Sequence, residues 1–138
     1  MTERTISDAH MRDVVQTLYD ATAIGDTDKV RSLLTDDFQL KGAPSLPYGG
    51  IYTGQNCLAE VFANVMAFWD APTLQVDGIT VGDGYAFGIV RLGVTSRRTG
   101  KHFDLEIAER FRFRGDKIDQ IMPYYFDSHA VWADAQTE

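Results

Sequence analysis

Apolar residues recur along the chain first at helical and then at strand spacing. Met11, Val14, Val15, Leu18, Tyr19 and Thr22 fall on one face of a helix, which Ser7 or Asp8 can cap and Gly25 can end. Asp26 or Thr27 then caps a short second helix with Val30, Leu33 and Leu34 on its apolar side, completing a helical hairpin. Asp36-Asp37 breaks it, and Phe38 to Leu40 reads as a short strand. Residues Gly42 to Gly54 hold too many turn formers for regular structure and predict a loop carrying Tyr48 and Tyr52. A third helix follows over Asn56 to Trp69, where Leu58, Val61, Phe62, Val65, Met66 and Trp69 make a broad apolar stripe that must pack on something large.

The period then changes to two. Strand-like runs at Leu74 to Val81, Tyr85 to Thr95, His102 to Phe113 and Lys117 to Phe126 are separated by Gly82-Asp83-Gly84, Thr99-Gly100 and Gly115-Asp116, the signature of an antiparallel meander. Helices first and a meander afterwards predict an α+β domain, three N-terminal helices packed in a curved antiparallel sheet, with its core at about residues 8–131. Within the run Phe103, Leu105, Ile107, Phe111 and Phe113, alternation puts Glu109 on the apolar face. A carboxylate there is costly unless paired, hydrogen-bonded or protonated, so the pattern marks a pocket.

Length and charge narrow the function classes. A chain of 138 residues suits one domain, and a formal charge of -7 with pI near 4.8 argues against a nucleic-acid partner, since phosphate binding needs basic side chains on one face. Cys57 is the single cysteine, which excludes an internal disulfide. No apolar run reaches membrane-spanning length and Met1 to Thr5 lacks a signal peptide's apolar core, so the expectation is a cytoplasmic protein with no membrane partner. His10, His102 and His129 are scattered without ligand spacing, and no metal site is expected.

Several motifs spread over residues 8–131 act together: Ile24-Gly25-Asp26, Leu33-Leu34-Thr35-Asp36-Asp37-Phe38, Pro47-Tyr48-Gly49-Gly50 with Tyr52-Thr53-Gly54, the Thr99-Gly100 hairpin, and Gly115-Asp116-Lys117-Ile118 leading to Tyr125-Phe126-Asp127. In this combination the chain resembles the nuclear transport factor two-like superfamily, and the Pro-Tyr-Gly-Gly element is most similar to its SnoaL-like group of polyketide cyclases. The resemblance implies a cone-shaped α+β fold, a cofactor-free cavity for a small apolar molecule, and a homodimer formed through the convex sheet. Ketosteroid isomerases of this superfamily place an acid in a strand of the form Asp-x-Phe-Arg-Phe, an arrangement resembled by Glu109 to Phe113. Their helix tyrosine falls at Leu18, with Tyr19 one step around, and their base near Gly42. The epoxide hydrolases' two acids are replaced by Gly93 and Tyr124, while Arg91 is kept. The cyclases' last-strand acid has its best local match in Asp127.

The candidate catalytic residues are therefore Glu109 and Asp127. Glu109 is either a pocket acid with a raised pKa or half of a buried ion pair with Arg91, which an even register across the Thr99-Gly100 hairpin would bring to the same face. Asp127 is either that acid or the cap of a short terminal helix starting at Ser128. Arg91, Tyr48, Tyr52 and Tyr124 are expected to bind or polarise a carbonyl oxygen, and Tyr19, Phe62, Trp69 and Phe111 to line the site, although aromatics of this kind also serve as plain core. Two readings follow, an acid-base isomerase, cyclase or hydratase acting through Glu109, and a non-catalytic small-ligand-binding or dimerising protein. A partner-binding module has less to support it.

Overall fold

Ser7 starts the first helix: its side-chain oxygen accepts the backbone N–H of His10 at 3.1 Å, and α1 runs over Asp8–Ala23. Gly25 ends it in the left-handed region at φ +71°, with Gly25 N–H bonded to Thr22 O and Asp26 N–H to Ala21 O, the paired bonds of a Schellman exit. Asp26 then turns its side chain to accept Lys29 N–H at 3.1 Å and so caps α2, Thr27–Ser32. The remaining elements are β1 (Leu34–Gly42), β2 (Gly50–Thr53), α3 (Cys57–Phe68), β3 (Trp69–Gly82), β4 (Tyr85–Ser96), β5 (His102–Arg114), β6 (Lys117–Tyr125) and α4 (Ser128–Gln136). This computed structural model describes residues 6–137, so the stretch Met1 to Thr5 that was read for a leader lies outside the described residues.

The six strands form one sheet in the order β2-β1-β6-β5-β4-β3. The four meander strands pair antiparallel in chain order, β1 runs parallel to β6, and β2 lies antiparallel on the outer side of β1. The helices pack in the concave face, with Val15, Leu34, Phe38, Trp69, Phe111 and Ile118 at 1% exposure or less. Each such side chain contributes about 1.5–3 kcal/mol relative to an exposed position. No helix among the described residues is long and apolar enough to cross a membrane.

Three element boundaries differ from the sequence reading. The first strand begins at Leu34, not Phe38, because the register against β6 jumps from Leu34↔Ile118 to Gln39↔Gln120 and the acidic pair Asp36-Asp37 is absorbed in that irregularity. The Gly42 to Gly54 segment is not all loop: Gly50–Thr53 adds a strand to the edge of β1. Trp69 opens β3 instead of closing α3, five residues ahead of Leu74, paired with Ser96 and with its carbonyl accepting from Arg97 Nε.

The terminal helix is fastened to the β4–β5 hairpin through Asp134. Ser96 Oγ donates to one carboxylate oxygen at 2.5 Å and Thr99 Oγ1 to the other at 2.6 Å, and Asp134 is 5% exposed. Asp134→Ala should lower stability by about 2 kcal/mol, since it strands the buried Ser96 hydroxyl and removes the partner of Thr99. Urea unfolding with an unchanged m-value checks this, and a loss under about 0.5 kcal/mol would refute the role.

Candidate active site

Strand β5 turns Leu105, Ile107, Glu109 and Phe111 into the cone. Across the ladders Glu109 faces Gly88 on β4 and Pro123 on β6, so neither neighbour brings a polar side chain to it. A Cβ at position 88 would stand 1.9 Å from the hydroxyl oxygen of Tyr19. The absent side chain is thus the slot through which Tyr19, reaching in from α1, donates its hydroxyl hydrogen to Glu109 Oε1 at 2.6 Å. The Tyr19 ring stands edge-on to Phe111, centroids 5.9 Å apart at 88°, which fixes its approach.

The two groups open on a cavity of about 450 Å³. Its walls are mostly aliphatic, including Leu18, Val61, Val90, Ile107 and Ile121, and its mouth is rimmed by Phe62, Met66 and Leu74, which stay 43% to 49% exposed. Phe62 and Met66 belong to the apolar stripe of α3. Part of that stripe therefore packs against empty space rather than against the sheet. Among the described residues, no Lys, Arg or His lines the cavity. Without a cation nearby, burial pushes the Glu109 carboxyl above its ordinary pKa, and the hydrogen bond from Tyr19 only partly opposes this. Tyr19 is raised as well, by burial first and then by the charge and hydrogen bond of Glu109.

A second polar group lies on the same walls. The loop after β1 turns Leu46 and Tyr48 inward, with Gly49 packed so close to the Ala43 carbonyl that a Cβ would sit 1.9 Å from it. Tyr48 Oη accepts from Trp69 Nε1 at 3.1 Å and shares a 2.9 Å hydrogen bond with Tyr125 Oη. Burial raises the pKa of both phenols.

Of the residues singled out from sequence, Tyr19, Tyr48, Phe62, Glu109 and Phe111 line this cavity. Arg91 does not. The β4–β5 register pairs Arg91 with Glu106 and Gly88 with Glu109, an odd offset, so Arg91 points to the convex face and forms a bidentate pair with Asp77 at 2.9 and 3.1 Å. The expected Glu109–Arg91 ion pair is therefore absent, and Glu109 has Tyr19 in its place. Tyr124 lies on the convex side at 47% exposure. Trp69 is fully buried behind Tyr48, and Tyr52 braces that loop from outside the cavity, donating to Tyr48 O and accepting from Asn64 Nδ2. Asp127 is exposed and caps α4, accepting Ala130 N–H at 3.1 Å.

Sequence reasoning missed Tyr125 and Gly88. Counting every second residue from Ile118 brings Tyr124 inside, but the ladder runs Phe113↔Ile118 and then Arg112↔Gln120, leaving Asp119 unpaired and shifting the alternation by one. The apolar Ile121 and the following Pro123 carry the shifted phase and were the available signal. Gly88 gave no signal, because its value depends on a helix 69 residues earlier.

A curved sheet, antiparallel except where β1 joins β6, wrapped around N-terminal helices is the nuclear transport factor two-like cone. The chain belongs to the SnoaL-like domain family, which residues 15–121 match. No curated protein matches it in sequence. Among solved structures it is similar to an NTF2-like protein from Burkholderia thailandensis, with 22% identity, 96% of this chain and 100% of that one covered, and a TM-score of 0.81. It is also similar to a putative SnoaL-like polyketide cyclase from Jannaschia, at 14% identity, 100% of both chains and 0.78. A third likeness is to a protein of ketosteroid isomerase-like fold from Catenulispora acidiphila in complex with trimethylamine, at 16% identity, 91% and 97% coverage and 0.70.

The raised Glu109 pKa carries a sign. In the folded state Glu109 holds its proton to higher pH than in the unfolded chain, so its contribution to stability is full below about pH 4 and is lost as pH rises through the folded pKa. Glu109→Gln removes that loss. The Tm of the variant minus that of the native chain should grow more positive between pH 4 and 8, and a difference independent of pH would show that Glu109 titrates normally.

Proposed function

We propose that the cone binds a small, largely apolar carbonyl compound and performs cofactor-independent proton-transfer chemistry on it, of the isomerase, cyclase or hydratase kind, through Glu109. The carrying observation is the 2.6 Å bond between Tyr19 and Glu109 inside an otherwise aliphatic cavity. Desolvation brings the carboxyl toward the pH range in which it both takes and returns a proton, as a general base or acid requires. Tyr19 occupies Oε1 and orients the group, which leaves Oε2 for the substrate. The isomerases' separate base falls near Gly42, which lines the cavity without a side chain, so in this reading one carboxyl removes and redelivers the proton. Asp127 takes no part in this reading, because its carboxylate is engaged at the helix cap.

A thermal-shift screen of apolar ketones and aromatic polyketide analogues identifies a ligand, whose turnover is then followed. Glu109→Gln should lower kcat at least about a hundredfold while remaining folded, and Tyr19→Phe should lower it less. Undiminished turnover in Glu109→Gln overturns the assignment. Binding without any turnover would favour the second reading, a carrier of the same ligand, which the lack of a second carboxyl, histidine or lysine on the cavity wall among the described residues supports.

We also propose that two copies associate through the convex sheet, where Ile89, Tyr124 and Phe126 are 40%, 47% and 84% exposed. Tyr124→Glu should then move the protein to the monomer in sedimentation equilibrium, and a monomeric native chain would refute it.

A further inference from the structure

The phenols at the cavity wall hold one hydrogen more than their bonds use. Trp69 Nε1–H, Tyr48 O–H and Tyr125 O–H bring three hydrogens to a cluster with two hydrogen bonds, Trp69 to Tyr48 and Tyr48 with Tyr125. If Tyr48 donates to Tyr125, the Tyr125 hydrogen is left over. If Tyr125 donates, the Tyr48 hydrogen is. In both cases one phenolic hydrogen has no acceptor among the described residues, and both side chains line the cavity. A covered donor left without a partner is unfavourable, so its natural acceptor is an atom of whatever fills the cavity.

The opposite surplus sits close by. Glu109 Oε1 takes the hydrogen of Tyr19, whereas Oε2 has no donor among the described residues. Tyr125 pairs with Ile107, two residues from Glu109 on the same face of β5, a diagonal placement that puts the two Cβ atoms roughly 7 Å apart. A spare donor and a spare acceptor therefore share one apolar space, at a separation that a single small molecule can span.

We infer that the Tyr48–Tyr125 pair is the subsite for the ligand's carbonyl oxygen. The occupant is an apolar carbonyl compound that accepts a hydrogen bond at this pair and presents a hydroxyl or an acidic C–H to Glu109 Oε2. This rests on the reading of the cone as a ligand cavity and adds to it the polarity of the ligand and a residue, Tyr125, that was not among the site residues expected from sequence. Trp69 holds the Tyr48 hydroxyl in place by donating to it, while the spare hydrogen belongs to the phenol pair itself, since only one of their two hydrogens can lie between the oxygens.

The test uses two probes of the same shape, 2-acetylnaphthalene and 2-isopropenylnaphthalene, which differ by an oxygen in place of a methylene. Their affinities are measured by calorimetry for the native chain, Tyr48→Phe, Tyr125→Phe and the double variant. The ketone-to-alkene affinity ratio should fall about tenfold in the double variant, the worth of one buried hydrogen bond. Either single exchange should keep most of the preference, because the remaining phenol still has a hydrogen to give. The C=O stretch of the bound ketone should lie at lower wavenumber in the native chain than in hexane, a measurement that stands even if the double variant does not fold. An unshifted stretch, or a ratio equal in all four proteins, overturns the carbonyl subsite and leaves the cavity reading intact. Failure of both probes to bind the native chain overturns the cavity reading and this inference with it.

Discussion

One carboxyl group in an apolar surface sets the conditions that the rest of the cone meets. Glu109 sits on the concave face of the sheet, where no cation among the described residues compensates it and its cross-strand neighbours are a glycine and a proline. Its protein donor comes from a different layer. For Tyr19 to reach Glu109 at 2.6 Å, α1 must lie close over β4, and it does so because position 88 has no side chain to hold the helix away. The caps at Ser7 and Gly25 define the helix ends, and the edge-on contact with Phe111 directs the ring. A carboxyl with a donor on one of its two oxygens is here the product of a helix, two strands and a missing Cβ acting together.

The contents of the cavity depend on departures from regular pairing. On β6 the unpaired Asp119 exchanges the two tyrosines, turning Tyr125 in and Tyr124 out. On β3 the register slips between Asp70 and Thr73 around Ala71, which holds a φ of +48°, and the neighbouring Pro72 lines the cavity. On β1 the slip after Leu34 carries the acidic pair past the edge of β6 and still leaves Phe38 fully buried. Bulges of this kind re-aim side chains without altering strand order.

Charge is divided between the two faces. Arg91 with Asp77 and Arg114 with Asp37 form solvated pairs, which contribute little to stability, and Arg112 pairs with the more covered Asp119 on the same outer side. Keeping these cations outside matters more for the state of Glu109. An arginine beside Glu109 would hold it ionised and lower its pKa, whereas the aliphatic wall raises it. The same wall disfavours an anionic ligand and suits a neutral one.

The sequence by itself determined the element types and their order apart from the edge strand β2, the α+β layering, and the placement of Glu109 on the apolar face of its strand. These follow from local periodicity and turn chemistry, which act over a few residues: Gly25 requires a left-handed exit wherever its helix ends up, and alternation around Ile107 and Phe111 puts Glu109 inward in any sheet. Pairing lay beyond that reach. Whether Arg91 meets Glu109 turns on an odd or even register, whether Tyr124 or Tyr125 enters the cone turns on one unpaired residue, and whether Tyr19 finds its acceptor turns on Gly88 lying under α1. Each of these depends on how far one strand or helix slides past another, and that is decided by packing of the whole sheet against its helices rather than by neighbours along the chain.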